Sequence, residues 1–532
     1  MNPIHVRLGE VEFDFEPSSG YLRYVRIGSV ELIRGIYGAV RKADWGTPTN
    51  RMTSTGQQSS NKTWKANWTA RVAEGDVQFD WKGSVSAILT ENRVEIEYEF
   101  EGEGKSDFKS NRTGICVLHP RSHQGLKCEV EHNHGECDQV SFPTSIKPDQ
   151  PFKDVKAISL DVETGIHVRT EFFGEVFETE DQRNYSDASY KTYSRPQEWQ
   201  KPFDIKTGET IHQRVKVVID LSEVKSETKL QAHQGKLPLL GAFVDRALSE
   251  SGADNLKSLG LNCWLAGANG IEQAKKLGGP VFLQTEVASF PVELSPNDGI
   301  CLAPPNEWQK LNRIRGGKRL ATATWAFMQL NGSRPAYDEI EGSAWSVRPD
   351  IHLSDTLTCL EGGWTVQDQL RTAQGFGSKT NLIGPIEFSK DPADPRRDTI
   401  ESALFALGVI AGAAKGKADY AIFADATRLP HSGFALALEL FKESPSEIEI
   451  HEWEPFFLMI RAGRTVLANF SWEPTDLYKL CPIDRPENME NGMRNAYRLI
   501  TANNFERWSE ILAGPESHNP LTMIPPRSIV VM

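Results

Sequence analysis

Hydrophobic and polar positions alternate strictly in the first part of this chain and lose that alternation further on. In Arg93–Phe100, Val94, Ile96, Tyr98 and Phe100 point to one side, while Glu95, Glu97 and Glu99 point to the other. A period of two is the signature of a half-buried strand. Val11–Phe15, Val77–Trp81 and Arg214–Ile219 repeat it, with Gly, Asn, Asp and Ser clusters between them at hairpin-like spacing. No amphipathic helix interrupts these runs, so residues 1–232 are expected to form an antiparallel β-sandwich of two sheets.

The polar stretch Leu221–Lys236 reads as a linker, and beyond it short apolar runs alternate with helical stretches. Leu237–Leu240, Leu261–Leu265, Val281–Thr285, Leu320–Phe327, Leu382–Phe388 and Tyr420–Phe423 are strand candidates. Ser343–His352 supplies a seventh and Leu353–Leu360 an eighth. Between them lie the helix candidates Ile271–Leu277, Val366–Gln374 and Thr399–Ala414, the last entered through Asp398 as N-cap. Repeated strand and helix order means parallel strands, and a (β/α)8 TIM-type barrel over 236–452 is favoured over an open doubly wound sheet. Phe456–Arg461, Thr465–Phe470 and Ser528–Met532 then predict a small C-terminal β-domain over 453–532. The class is therefore multidomain α and β.

Composition narrows the partners. The 532 residues carry a formal net charge of -13, which disfavours nucleic acid and anionic membranes and points to a small neutral or weakly charged ligand. No apolar run approaches the roughly 20 residues of a membrane helix, and the first residues lack the pattern of a secretory signal. Seven scattered cysteines without a C-x-x-C suit reduced thiols, so a cytoplasmic protein is expected. There is no G-x-S-x-G elbow, P-loop or dinucleotide fingerprint, and no cofactor is expected.

Candidate chemistry concentrates in Phe177–Tyr193, FETEDQRNYSDASYKTY, where Glu178, Glu180, Asp181, Arg183, Asp187 and Lys191 surround Gln182, Asn184 and four aromatics. Such a cluster is either a structural ion-pair network or one wall of a polar site. Glu131–Glu136 contains an H-x-H pair, His132 and His134, but no further ligand pattern accompanies it, and no metal site is assigned. His119 and His123 are additional histidines in the same part of the chain.

The long segment resembles the signature E-D-Q-R-N-(W/Y)-(T/S)-D-A-S-(F/Y)-K-T-Y of the bacterial D-apionate lactonase family. Thr113–Pro120 is similar to that family's T-G-F-x-V-L-H-P strand, and His132 and Gly135 fall where it has H-x-D-G, with His134 replacing the aspartate. Phe142-Pro143, Ile146, Pro148 and Gln150–Phe152 resemble its F-P-x-x-I-x-P-x-Q-P-F turn, and Arg214 lies in a Q-R-V strand. Later in the chain the likeness thins to Asp394-Pro-Arg396. The resemblance implies three parts, β-domain, barrel and C-terminal β-domain, and hydrolysis of a sugar-acid lactone such as D-apionolactone to the open acid.

Lactone opening needs an activated water, a donor for the oxyanion and an acid for the departing ring oxygen. In an extended strand Glu178 and Glu180 share one face, where their like charges push one pKa upward and can hold a base and an acid together. The expected roles are therefore Glu180 or Asp181 as base, Arg183 and Lys191 on the oxyanion or the substrate carboxylate, and Asn184 with Asp187 on hydroxyls. His119 and His132 are second candidates for proton transfer, and Glu178 and Tyr193 complete the expected substrate contacts. The barrel offers Glu286, Glu387 and Asp425 at strand ends, either joining the lactone site or forming the carboxylate pair of a glycoside hydrolase. A third reading is noncatalytic carbohydrate binding through Trp45, Trp199, Trp345 and Trp364. The oligomeric state is left open.

Overall fold

The computed structural model describes residues 3–222, 230–245, 248–286, 294–424, 426, 432–476, 497–517, 521 and 523–532. The chain divides into two compact units, the first made of 1–182 and 189–228, the second of 183–188 and 229–532.

In the first unit, every strand pairing is antiparallel, and the 17 strands form a continuous branched ladder. The expected two separate sheets are thus hydrogen-bonded into one. Its strands share a single core, which alternate residues of nearly all of them enter and which includes Phe13, Trp64, Trp68, Ile96, Val117 and Val217. Arg93–Gly104 is the clearest case, with Val94, Ile96, Tyr98 and Phe100 buried as the alternation requires. Its neighbours keep register, since Val217 and Ala87 flank Ile96. The strand runs past the expected Phe100 because Gly102 leaves room for the Phe79 ring, which a Cβ there would meet at 2.2 Å. Gly83 plays the same part for Trp68, with a Cβ only 2.2 Å from the indole.

The second unit holds a closed parallel barrel. Its strands are, in order, Leu239–Val244, Cys263–Ala266, Val281–Thr285, Gly299–Leu302, Lys318–Ala323, Gly342–Val347, Thr380–Ile386 and Tyr420–Phe423. The first pairs with both the second and the last, which closes the ring. Leu265, Phe282, Leu320, Leu382 and Ile422 fill its interior, so it is a packed core and not a pore.

Two local expectations are corrected. Leu353–Leu360 is not a strand: Asp355 accepts a hydrogen bond from the Thr358 backbone and caps the helix Thr356–Glu361. The missing strand is Gly299–Leu302, four residues entered through a turn-like Asn-Asp-Gly, too short for any periodicity to register. The helix Ile400–Lys415 is entered through Thr399, not Asp398. It is buried nearly all round, and Gly363 approaches the Gly408 backbone so closely that a Cβ on Gly363 would lie 2.6 Å away.

A six-stranded antiparallel sheet belongs to the same unit, ordered Gln231–Lys236, Glu447–Trp453, Phe457–Arg461, Thr465–Asn469, Ser528–Val531, Arg498–Thr501. The last six residues of the expected linker are therefore a strand that pairs with Glu447–Trp453. Lys415 reaches the sheet, its Nζ 2.6 Å from both Glu452 carboxylate oxygens.

Replacing Gly83 by Ala is expected to cost about 1–3 kcal/mol, because the added methyl must displace a fully buried indole. Denaturant unfolding followed by tryptophan fluorescence measures it; wild-type stability in Gly83→Ala would contradict this packing.

Candidate functional site

The segment singled out by its charge density divides between the two units. Phe177–Asp181 and Ser189–Ser194 are the paired strands of a hairpin in the first unit. Its tip, 183–188, belongs to the second.

Strand alternation sorts the hairpin's side chains onto two faces. Thr179 and Thr192 meet hydroxyl to hydroxyl at 2.8 Å on the core-facing side, where Tyr190 joins the apolar cluster. His119 is on that side too, its Nε2 2.8 Å from Thr192 Oγ1 and its ring against Phe142. Burial lowers its pKa to about 3. His119 is thus a neutral interior imidazole turned away from the charged face.

On the opposite face Glu178 lies across from Tyr193, and Glu180 across from Lys191. The Tyr193 hydroxyl donates to Glu178 Oε1 at 2.6 Å, and the Gln197 backbone donates to the same oxygen at 2.5 Å. Lys191 forms an ion pair with Glu180. The Arg112 guanidinium covers the Tyr193 ring at 3.6 Å. Burial raises the Glu178 pKa, with the Glu180 charge a smaller contribution in the same direction. Burial lowers that of Lys191 against the pull of Glu180, and lowers Lys201 to about 8. The two neighbouring carboxylates do raise a pKa, but desolvation is the larger cause. Asp181 sits at the strand end and accepts the Lys147 backbone N–H at 3.2 Å.

The tip follows a different logic. Arg183 has no exposed surface, and its guanidinium meets the equally buried Asp368 at 3.1 Å. Arg371 holds the other oxygen of Asp368 at 2.7 Å. Gln369, one residue on, donates to the Arg183 carbonyl at 2.9 Å and accepts from the Trp345 indole N–H at 2.8 Å. Asn331 donates to Asn184 at 2.8 Å. Ser186 adopts a left-handed φ of 68°. The result is a tight turn fastened along its length to the barrel unit.

That turn delivers Asp187 to His352, whose Nδ1 donates to Asp187 Oδ2 at 2.6 Å. The bond keeps the proton of the neutral ring on Nδ1 and its lone pair on Nε2. His352 lies just beyond the sixth barrel strand, at the carboxyl ends where barrel enzymes carry their chemistry. Arg348, from the same strand end, lies 3.1 Å from Asp350 and 3.9 Å from Glu387, which follows the seventh strand. The other oxygen of Asp350 accepts from the Ser389 hydroxyl and the Lys390 backbone N–H, which fixes the carboxylate beside Arg348. Tyr185 packs edge-on against the His352 ring at 4.9 Å and against Trp325 at 5.7 Å. Trp325 follows the fifth strand.

Of the expected site residues, the barrel unit therefore brings Asp187 and Glu387 to one mouth, with Arg183 and Asn184 fastening the turn that carries Asp187. Glu178, Glu180, Lys191 and Tyr193 form a second cluster on the first unit's sheet. His132 joins neither: it sits in an outer hairpin, donating from Nδ1 to the Lys153 carbonyl with Asp138 near Nε2. Glu286 is exposed beyond the third strand. Asp425 lies outside the described residues. Among the described residues no group of three or more His, Cys, Asp or Glu side chains is arranged to hold a metal. Sequence reasoning missed His352, Arg348 and Trp325. A signal for them existed, since Trp325 and Arg348 lie within runs that already read as strands and His352 ends one.

Residues 1–222 match a family model described as D-apionate lactonase, N-terminal domain. A D-apionate lactonase from Brucella anthropi is 31% identical over 257 residues, 46% of this chain. The match spans only 41% of that relative's own length. A putative aldose 1-epimerase from Escherichia coli K12 aligns with 42% of this chain and 99% of its own at 10% identity and a TM-score of 0.29. A GH36 alpha-galactosidase from Geobacillus stearothermophilus aligns with 100% of this chain and 99% of its own at 11% identity and a TM-score of 0.27. Neither structural likeness is strong enough to carry an argument.

Asp368→Leu should lose about 3–5 kcal/mol, since it strands a buried guanidinium, and adding Arg183→Met should return most of that loss. Denaturant unfolding of the single and double variants tests this; simple additivity of the two losses contradicts it. The raised Glu178 pKa means that the native protein binds this proton more tightly than the unfolded chain does. Its contribution to stability is then lost as pH rises above the ordinary glutamate value of 4.5. Glu178→Gln should accordingly gain stability on the wild type with rising pH, and a pH-independent difference would count against it.

Proposed function

We propose, from the match of residues 1–222 to the family model described as D-apionate lactonase, N-terminal domain, that this protein hydrolyses a sugar-acid lactone to the open hydroxy acid, with D-apionolactone the first candidate. The observation that carries the reading is the Asp187–His352 hydrogen bond at the barrel mouth. A histidine oriented by a carboxylate is the general base that lactone opening requires.

In this reading His352 Nε2 takes a proton from water as its oxygen attacks the lactone carbonyl carbon. Asp187 holds the ring in place and stabilises the imidazolium that forms. Arg348, kept in position by Asp350, faces the negative charge that builds on the carbonyl oxygen. Collapse of the tetrahedral intermediate breaks the bond to the ring oxygen, which takes its proton from His352. One lactone and one water give one hydroxy acid, with no cofactor needed. Glu387, near Arg348, suits recognition of a substrate hydroxyl.

The residues expected from sequence then separate by role. Arg183 and Asn184 act on Asp187 through the turn and are positioning residues. Glu180 and Lys191 neutralise each other and are assigned to the stability of the hairpin.

His352→Gln and Asp187→Asn should each lower kcat for D-apionolactone opening by about 10²–10⁴-fold while retaining the wild-type circular dichroism. Glu180→Gln should stay far closer to the wild type. A direct assay of ring opening decides the matter: full activity in folded His352→Gln would remove the proposed base.

A further inference from the structure

Trp325 exposes 48% of its surface, more than any other large apolar side chain among the described residues. Its position is defined, because its backbone N–H donates to the Gln329 side chain at 2.9 Å just before the helix Met328–Ser333. Tyr185 stands at 66° to its indole, and the His352 ring stands at 78° to Tyr185. An aromatic wall thus leads from an exposed indole to the imidazole held by Asp187. The other groups at the ends of the sixth and seventh strands, Arg348 and Glu387, are polar and half-buried.

A closed sugar ring has the matching division: one face of C–H groups, which an indole covers well, and a rim of oxygens that charged side chains can bind. An open-chain ester offers no such flat face. We propose that Trp325 is the platform on which the closed ring of a polyhydroxylated lactone stacks, and that it makes the site selective for cyclic over open-chain esters. The inference rests on the reading of Asp187 and His352 as the hydrolytic pair, and it assigns that site its ring preference.

Stacking of this kind is expected to change affinity about tenfold, which corresponds to about 1.4 kcal/mol. Trp325→Ala should raise KM for D-apionolactone about tenfold with a much smaller change in kcat, and Trp325→Phe should restore most of it. The kcat/KM ratio of D-apionolactone to methyl D-glycerate, an ester too short to close a ring, should fall by about the same factor in Trp325→Ala. An unchanged KM, or an equal loss on both esters, overturns the platform. A binding measurement separates this failure from that of the hydrolytic reading. D-Ribonolactam, a closed ring that resists hydrolysis, is titrated by calorimetry into wild type and Trp325→Ala. About tenfold weaker binding to Trp325→Ala supports the platform even if no lactone is opened, whereas equal affinity, or none for the wild type, overturns it.

Discussion

A guanidinium with no exposed surface dictates much of what surrounds it. Arg183 must meet a full negative charge, and Asp368, itself wholly buried and shared with Arg371, is that charge. An uncompensated ion at this depth costs several kcal/mol, so the turn that carries Arg183 has little freedom. Gln369 and Asn331 then secure the next residues through hydrogen bonds to the Arg183 carbonyl and to Asn184. Asp187 is four residues from Arg183, and its place beside His352 is the end of this chain of constraints.

The two charged groupings of the hairpin differ in what their charges are left to do. On the strands, Lys191 faces Glu180, and Glu178 is held by a tyrosine hydroxyl and a backbone amide. Desolvation shifts both Lys191 and Glu178 toward their neutral forms, which is the behaviour of an interior network. At the tip, Asp187 spends its charge on orienting an imidazole at the carboxyl end of a parallel barrel. A carboxylate used in that way changes the chemistry of its partner.

Much of the architecture was legible because long strands repeat their pattern often enough to be read. Val94, Ile96, Tyr98 and Phe100 announce one buried face, and the structure buries them all. Gly299–Leu302 has only four residues, and the barrel strand it forms was hidden behind a turn-like Asn-Asp-Gly. Leu353–Leu360 misled because its apolar residues fit strand and helix alike, and the cap at Asp355 decides for the helix. The charged segment was recognisable as exceptional, but its partners were not. Arg183 and Asp368 are 185 positions apart, and Asp187 and His352 are 165 apart. No local pattern encodes such a pairing; His352 could be suspected only as a histidine at the end of a barrel strand.

In the proposed function the imidazole of His352, oriented by Asp187, is the base that opens the lactone. The most direct measurement is the pH dependence of initial rates of D-apionolactone opening by the wild type and by folded His352→Gln. A base that must be neutral to act predicts an acid limb in the wild type, where activity falls as the imidazole takes up a proton, and the loss of that limb from the residual activity of His352→Gln. The same acid limb in both proteins would contradict the account and place the base elsewhere.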